Sequence, residues 1–201
     1  IEDRLGVNAK PIEWPIGSGP EFTGIIDILT KTAYQYDGKP EEDGKVIEIP
    51  SDFKDLVDQK YNELVEAVVE FDENLMERYL EGEELTLEEI KSCIRKGTLA
   101  AKFFPVLCSD ALGNKGVKLL LDAVIDYMPS PVDVESIKGT DMDGNEIERH
   151  PSDSEPFSAL AFKVATDPYV GGITFTRVYS GKLEAGTYVL NSTNGKKERV
   201  G

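Results

Sequence analysis

The segment FFPVLCSDALGNKGVKLLLDAVIDYMPSP, residues 103–131, decides the fold class of this 201-residue chain. It opens with a continuous apolar run, FFPVLCS, which is typical of a strand buried on both faces of a sheet. After a polar turn, apolar side chains recur at helical spacing until two prolines end the helix. This stripe consists of Val117, Leu120, Leu121, Val124, Ile125 and Met128. A buried strand, a turn and an amphipathic helix predict the last βα unit of an α/β domain, as in many nucleotide-binding proteins.

The motifs do not predict a complete nucleotide site. No G-x-x-x-x-G-K-[ST] sequence occurs, so the chain has no phosphate-binding loop of its own. Two D-x-x-G matches, at residues 110–113 and 141–144, are interpreted as turns, because this motif acts only beside a phosphate loop. The single histidine, His150, precedes a proline in a polar connection and is predicted to lie at the surface. No catalytic residue and no metal ligand is therefore predicted.

The region before this unit is predicted to be mixed α and β. KPIEWPIG (residues 10–17) suits an edge strand, FTGIIDILTKTAYQYD (22–37) one long strand, and VIEIP (46–50) a short third strand of a meander. A helix capped by Ser51 follows, and its apolar face is predicted to pack against this sheet. That face carries Phe53, Leu56, Val57, Leu64, Val65, Val68 and Phe71.

Two further helices precede the βα unit. ENLMERYLEG, residues 73–82, is predicted to end at Gly82. The next helix has the capping-box spacing of Thr86 and Glu89 at its start and is predicted to end at Gly97.

The net charge of −16 is distributed unevenly. Residues 51–90 hold 14 acidic against 3 basic side chains, a net of −11, whereas residues 157–201 hold 3 acidic against 6 basic, a net of +3. The acidic part favours a basic protein partner and the basic part favours nucleic acid. The alternative is that neither part binds a partner: the acidic residues then form a solvated helix face, and the basic residues belong to the ordinary surface of a β-barrel. The exposed acidic helix face consists of Asp55, Asp58, Glu63, Glu66 and Glu70.

The remaining features predict a soluble cytosolic protein. No run approaches 18 apolar residues, so no membrane span is predicted. Cys93 and Cys108 lack metal-ligand spacing and are predicted to be two reduced, buried thiols rather than a disulfide. Residues 129–153 are turn-rich and predict a linker, after which period-two alternation with glycine turns predicts an all-β module. The sequence lacks an initial Met and a recognisable end, so we expect a fragment.

Several long strings resemble the bacterial elongation factor G family, whose members are GTPases that drive translocation on the ribosome. The strings are WPIG, FTGIIDIL, ENLMERYLEGEELT, IRKGT, NKGVKLLLDAVIDYMPSPVDV and ATDPYVGGITFTRVYSGKLEAGTYVLN. They follow the family in order and spacing over essentially the whole chain. The resemblance implies an α/β fold, made of a mixed insertion and the last strand and helix of a P-loop GTPase domain, followed by the start of an all-β barrel.

The resemblance also implies domain boundaries. Residues 1–9 would end a helix of the GTPase core, residues 10–101 would form the G′ insertion, and residues 102–128 would return to the core. Residues 129–153 would be a linker and residues 154–201 the first part of the domain II barrel. The phosphate loop, both switches and the N-K-x-D motif would then lie before Ile1.

One nucleotide-contacting element is implied within the chain. In the family, a G-S-A-[LF] loop follows the last core strand, and its backbone N–H groups approach the guanine O6. The matching positions are Ser109, Asp110, Ala111 and Leu112, of which the last two agree with the motif. The carboxylate of Asp110, where the family has serine, is expected either to weaken guanine binding by repulsion or to alter the loop geometry.

The function implied for the parent protein is GTP hydrolysis, with GTP or GDP and Mg²⁺ bound, in the cytoplasm. The fragment itself is expected to be inactive and to hold no cofactor. The resemblance implies the ribosomal stalk protein as the partner of the acidic insertion, and small-subunit RNA as the partner of domain II. A ribosome-recycling or back-up paralogue and a non-catalytic interaction module are the alternatives. Exposed strand edges at the cut are expected to cause self-association.

Overall fold

The computed structural model describes residues 2–38, 43–141, 143–169 and 171–201. Two compact units make up the chain, Ile1–Met128 and Pro129–Gly201. The helices are α1 (Glu2–Leu5), α2 (Lys54–Val69), α3 (Glu73–Leu80), α4 (Leu87–Leu99) and α5 (Val117–Tyr127). The strands of the first unit are β1 (Ala9–Pro11), β2 (Glu13–Ile16), β3 (Gly24–Asp27), β4 (Thr32–Gln35), β5 (Lys45–Ile47) and β6 (Phe104–Val106). The fold class is mixed α and β with several small sheets, as predicted.

The first unit contains a four-stranded antiparallel sheet in the order β2-β3-β4-β5. The prediction of one long strand over residues 22–37 is wrong, because this segment forms the β3–β4 hairpin. The carboxylate of Asp27 accepts hydrogen bonds from the backbone N–H groups of Leu29 (2.9 Å) and Thr30 (3.1 Å). Lys31 adopts a positive φ of 49°. An Asx turn therefore reverses the chain inside a run of strand-forming residues.

The segment of residues 10–17 belongs to two sheets. β2 lies at the edge of the four-stranded sheet, as predicted, whereas β1 pairs in parallel with β6. Ile12 joins the two: its N–H donates to the carbonyl of Val106 (2.9 Å), and its carbonyl accepts from the N–H of Ile28 (3.0 Å). The chain thus passes from one sheet to the other within a single residue.

Helix α2 departs from prediction at its start and in its packing. Ser51 does not cap it: residues Ser51–Phe53 form a 3₁₀ turn, and the Ser51 hydroxyl donates to Asp52. Val57 packs against the four-stranded sheet in a cluster with Ile26 and Ala33, and Phe53, also on the predicted face, packs against the same cluster. The other buried side chains of α2 pack mainly against α4 and against Phe103, which follows α4, because α4 also has an apolar face. This main core comprises Leu64, Val65, Val68, Val69, Ile90, Cys93, Ile94 and Phe103, among others.

Side-chain caps begin both helices α3 and α4, and the cap of α4 is the predicted one. The Asp72 side chain accepts from the N–H of Leu75, and Thr86 and Glu89 form the predicted capping box. The prediction that α4 ends at Gly97 is wrong, because α4 continues to Leu99. A Cβ at Gly97 would lie 2.5 Å from the Phe71 ring, so this glycine allows a close approach within the helix.

The strand β6 is shorter and more exposed than predicted. It spans three residues, Phe104 is 41% exposed, and its partner in the described chain is β1. Most of the predicted apolar stripe of α5 is exposed, with Ile125 77% exposed, whereas Val117 and Leu120 are half-buried and Tyr127 is buried. Within the described residues β6 is therefore not buried on both faces, because the side chain of Phe104 is left partly uncovered.

The second unit consists of three antiparallel hairpins. Their strands are β7 (Ile137–Thr140), β8 (Glu146–Arg149), β9 (Ser158–Asp167), β10 (Gly171–Ser180), β11 (Tyr188–Asn191) and β12 (Lys196–Arg199). β7 pairs with β8, β9 with β10, and β11 with β12. Within the described residues these sheets form no closed barrel.

Residues 129–153, which are predicted to be a linker, contain the β7–β8 hairpin. The Asp141 carboxylate accepts from the N–H groups of Asp143 and Asn145, so this D-x-x-G match is a turn, as interpreted. His150 follows the hairpin and is exposed, as predicted. Among the described residues, no helix combines the length and the apolar character that crossing a bilayer requires.

Candidate functional site

The predicted guanine loop connects β6 to α5 at the carboxyl end of the strand. The backbones of Asp110 and Lys115 exchange two hydrogen bonds, of 2.9 and 3.0 Å, which close the loop at its base. Ser109 and Ala111 are exposed, and Leu112 is 98% exposed. In the described part of the chain, the N–H groups of Ala111 and Leu112 donate to no protein acceptor. The loop can therefore offer backbone donors to a ligand.

The carboxylate of Asp110 is turned into its own loop. One oxygen accepts from the N–H of Gly113 (3.0 Å), and the other lies 3.8 Å from the ammonium of Lys115. A Cβ at residue 113 would lie 2.4 Å from the Asp110 carboxylate, so a larger residue there would require this side chain to shift. The side chain of Asp110 thus orders its own loop through Gly113, and Lys115 lies close enough to offset part of its charge.

Lys115 also ties the loop to the four-stranded sheet region. Its ammonium donates to the carbonyl of Phe22 (2.6 Å) and lies 5.6 Å from the centre of the Phe22 ring. The next residue, Gly116, has a φ of 73°, and a Cβ there would lie 2.1 Å from the side chain of Ile25. The carboxyl end of the loop is therefore packed directly against the segment that includes β3.

Glu13 holds the other end of the loop. This residue of β2 is only 6% exposed, and its carboxylate accepts from the N–H of Cys108 at 3.0 Å. Burial raises the pKa of Glu13 to about 7; the Cys108 hydrogen bond opposes this rise and the charge of Asp27 adds to it. Burial, followed by the charge of Glu13, raises the pKa of the Cys108 thiol to about 12. Cys108 is therefore a protonated thiol and a poor nucleophile at neutral pH.

Both cysteines are free, as predicted. Cys93 is buried in the main core, whereas Cys108 is only half-buried. Burial raises the pKa of the Cys93 thiol, so it also remains protonated at neutral pH.

Sequence reasoning missed Glu13 and Lys115. The available signal for Glu13 was a single carboxylate between Ile12 and Trp14 in an otherwise apolar strand. Such a residue is buried only when a specific partner satisfies it. Lys115 gave no comparable signal, because a lysine in the polar turn GNKG is ordinarily solvated.

A polar cleft of about 370 Å³ lies beside Glu13, between the four-stranded sheet and helices α4 and α5. Its charged side chains are largely paired: Lys91 bonds Asp126 at 2.8 Å, and Lys118 bonds Asp122 at 3.0 Å. The described residues contain no cluster of His, Cys, Asp and Glu suited to a metal ion. Internal pairing of both lysines makes the cleft a weak site for an anion.

The predicted acidic face of α2 is present but is not uniformly available. Asp55, Glu66 and Glu70 are exposed, whereas Asp58 forms an ion pair with Lys31. Glu63 is half-buried and accepts from Lys60 and Gln59, each at 2.7 Å. Both hydrogen bonds lower the pKa of Glu63, and the bond from Lys60 has the larger effect. The part of this face open to a partner is centred on Glu66 and Glu70.

The second unit exposes aromatic rings next to basic side chains. The ammonium of Lys163 lies 5.4 Å from the centre of the Phe175 ring, and the guanidinium of Arg177 lies 5.7 Å from that of Tyr179. Phe162 is also largely exposed. Cations and aromatic faces together suit stacking with nucleic-acid bases and contacts to phosphate.

Comparison with known proteins shows a shared fold. No protein-family model matches the sequence. Eighty-two chains of known structure match the fold, so the arrangement recurs. One is the crystal structure of ttk003000868 from Thermus thermophilus, with a TM-score of 0.74 and 27% sequence identity. The match covers 99% of this chain and 27% of the Thermus chain. This chain therefore corresponds in fold to about a quarter of a longer Thermus thermophilus protein.

Proposed function

We propose that this chain is a segment of a cytoplasmic translational GTPase of the elongation factor G type. The observation that carries the proposal is the loop of residues 109–112. It lies at the carboxyl end of a parallel strand, where α/β folds bind nucleotides, and its N–H groups at residues 111 and 112 are available. The strings that resemble the family and the correspondence to part of a longer protein add support.

In this proposal the parent protein binds GTP or GDP with Mg²⁺ through a phosphate loop and switches outside this chain. Residues 102–128 complete the GTPase core and supply donors to the guanine O6. The apolar stripe of α5 is the surface that the rest of that core covers, and when uncovered it favours self-association. The chain supplies no group for phosphoryl transfer, so hydrolysis depends on the remainder of the parent.

The surfaces of the two units suit different ribosomal partners. The acidic face around Glu66 and Glu70 suits a basic protein, which in the elongation factor G family is the stalk protein. The exposed aromatic and basic side chains of the second unit suit small-subunit RNA. Replacing Glu66 and Glu70 by lysine should weaken stalk binding, more strongly at low salt, whereas Glu21→Lys should not. Unchanged affinity at low ionic strength would remove this face from the interface.

A recycling or back-up paralogue is the second candidate. The observation that favours it is Asp110, which replaces the serine of the family loop and orders the loop through Gly113 and Lys115. Ribosome-dependent GTP hydrolysis coupled to tRNA movement would indicate the elongation form. Hydrolysis coupled only to subunit separation would indicate the recycling form.

The loop assignment is tested in the full-length parent by nucleotide binding. Ala111→Pro removes one backbone N–H and should lower GDP affinity by roughly tenfold or more, because a backbone donor to the base is lost. Ala111→Ser keeps that N–H and serves as the matched control. Equal GDP affinity in both variants would contradict the loop assignment. GTP hydrolysis by the isolated 201-residue chain would contradict the assignment of the catalytic parts to other segments.

A further inference from the structure

The loop that faces the nucleotide in the proposed function is held at its amino end by a strand outside the βα unit. The N–H of Cys108, immediately before Ser109, donates to the carboxylate of Glu13 at 3.0 Å. Glu13 is separated from Cys108 by 95 positions in the sequence, so this is a tertiary contact. Because Glu13 is buried in β2, its position follows that of the four-stranded sheet.

The carboxyl end of the loop is held by the same sheet region. Lys115 donates to the carbonyl of Phe22, which precedes β3, and its side chain is only 18% exposed. Gly116 fits against Ile25 of β3 with no room for a Cβ. Both ends of the loop are thus fixed by contacts to β2 and to the segment around β3.

Neither contact is needed to fold a strand-turn-helix unit, which forms from its own apolar pattern and turn. A buried carboxylate is also costly unless it is satisfied, and Glu13 is satisfied by an N–H of the loop segment. Both contacts are directional: a backbone N–H donates to the Glu13 carboxyl group at one end, and the Lys115 ammonium makes a charge-assisted hydrogen bond to a carbonyl at the other. Such contacts fix the position of the backbone between them.

We propose that Glu13 and Lys115 are positioning residues that set the placement of the N–H groups of residues 109–112 and thereby the lifetime of bound guanine nucleotide. This inference rests on the proposed function, because it assumes that the loop contacts guanine. It adds that β2 and β3, and not the GTPase core alone, determine how tightly the base is held.

The test is the rate of release of methylanthraniloyl-GDP from the full-length parent, measured by fluorescence after mixing with excess GDP. Glu13→Ala should release the nucleotide roughly tenfold faster, because the acceptor for the Cys108 N–H is lost. Glu13→Gln should restore the wild-type rate, because its amide oxygen still accepts from that N–H. If Glu13 only stabilised the fold, the rate of nucleotide release would not depend on whether residue 13 can accept a hydrogen bond from the Cys108 N–H. Glu48→Ala, an exposed glutamate after β5, is the matched control and should leave the rate unchanged.

Lys115→Met gives an independent arm, because it keeps the aliphatic stem and removes only the ammonium. This variant should release the nucleotide several-fold faster than wild type. If Glu13→Ala does not fold, Lys115→Met still tests the inference. Wild-type release rates in folded Glu13→Ala, or in Lys115→Met, would overturn the inference while leaving guanine binding intact. Failure of the wild-type parent to bind methylanthraniloyl-GDP at all would instead overturn the proposed function.

Discussion

The two units of the chain hold their strands together by different means. In the first unit, helices and sheets bury side chains from distant parts of the sequence, such as Leu64, Ile94 and Phe103. In the second unit, each strand pairs only with its neighbour along the chain, and the one buried residue among those described is Ser180. Its hydroxyl donates to the carbonyl of Pro156 at 2.7 Å. Long-range apolar contacts therefore stabilise the first unit, and local turns and ladders stabilise the second.

The sharpest test of this difference is a pair of leucine truncations. Leu64→Ala should lower the free energy of unfolding of the first unit by about 2–5 kcal/mol, because a fully buried side chain is replaced by a cavity. Leu160→Ala removes the same atoms from β9, where the side chain is 53% exposed, and should change stability by less than about 0.5 kcal/mol. Urea denaturation followed by circular dichroism measures both. Equal effects would mean that the two units do not differ in packing.

The dependence of stability on pH provides a second comparison. Because the pKa of Glu13 is raised in the folded protein, folding favours its protonated form, and this contribution to stability is lost as pH rises from about 4.5 to about 7. Glu13→Gln should therefore be more stable than wild type above pH 7, by about 1–3 kcal/mol. The two proteins should converge toward pH 4.

Glu146→Gln is the matched control for this comparison, since Glu146 is an exposed residue of β8. Because substitutions at exposed positions have small effects, its stability should differ from that of wild type by less than about 0.5 kcal/mol. Thermal unfolding at half-unit intervals between pH 4 and 8 resolves the difference. Parallel curves for Glu13→Gln and wild type would show that the pKa of Glu13 does not differ between the folded and the unfolded protein.

A pair of glycine substitutions is expected to give the smallest effect. At Gly97, a methyl group would meet the Phe71 ring at 2.5 Å and the Cβ of Phe103 at 2.8 Å. Gly97→Ala should therefore lower the free energy of unfolding. Overpacking costs about 1–3 kcal/mol, and the better helix propensity of alanine offsets up to about 1 kcal/mol of this loss. At Gly139 in β7 nothing lies within 4 Å of the added Cβ, so Gly139→Ala should be neutral or slightly stabilising. Stabilisation by Gly97→Ala would indicate that the core relaxes around it.

The sequence predicted those features that depend on neighbouring residues. The capping box of Thr86 and Glu89, the proline stop of α5 and the strands β9 and β10 of the all-β module follow from local chemistry. The hairpin at Asp27 was missed because its turn lies within a run of Ile, Leu and Thr, whose strand propensity dominates the pattern. Gly97 was misassigned because a helix-ending glycine and a close-packed glycine look identical until the neighbouring helix is known.

The candidate site likewise has one part that the sequence predicted and another part that it did not. Residues 109–112 were assigned through the resemblance to a family motif. Glu13 could not have been connected to them, because the contact joins positions 95 residues apart. No periodicity or spacing rule relates two such positions, and only the packing of β2 beside the loop creates the pair.

The passage of the chain through Ile12 has a mechanical consequence. Insertions in proteins are commonly attached by flexible connections that let the two parts swing independently. Here a single residue joins two sheets, and its N–H and its carbonyl are each bonded to a different one. Tilting the four-stranded sheet relative to β6 would require one of these bonds to break. A force that moves the four-stranded sheet should therefore move β6 with it, because Ile12 connects the two sheets rigidly and does not act as a hinge.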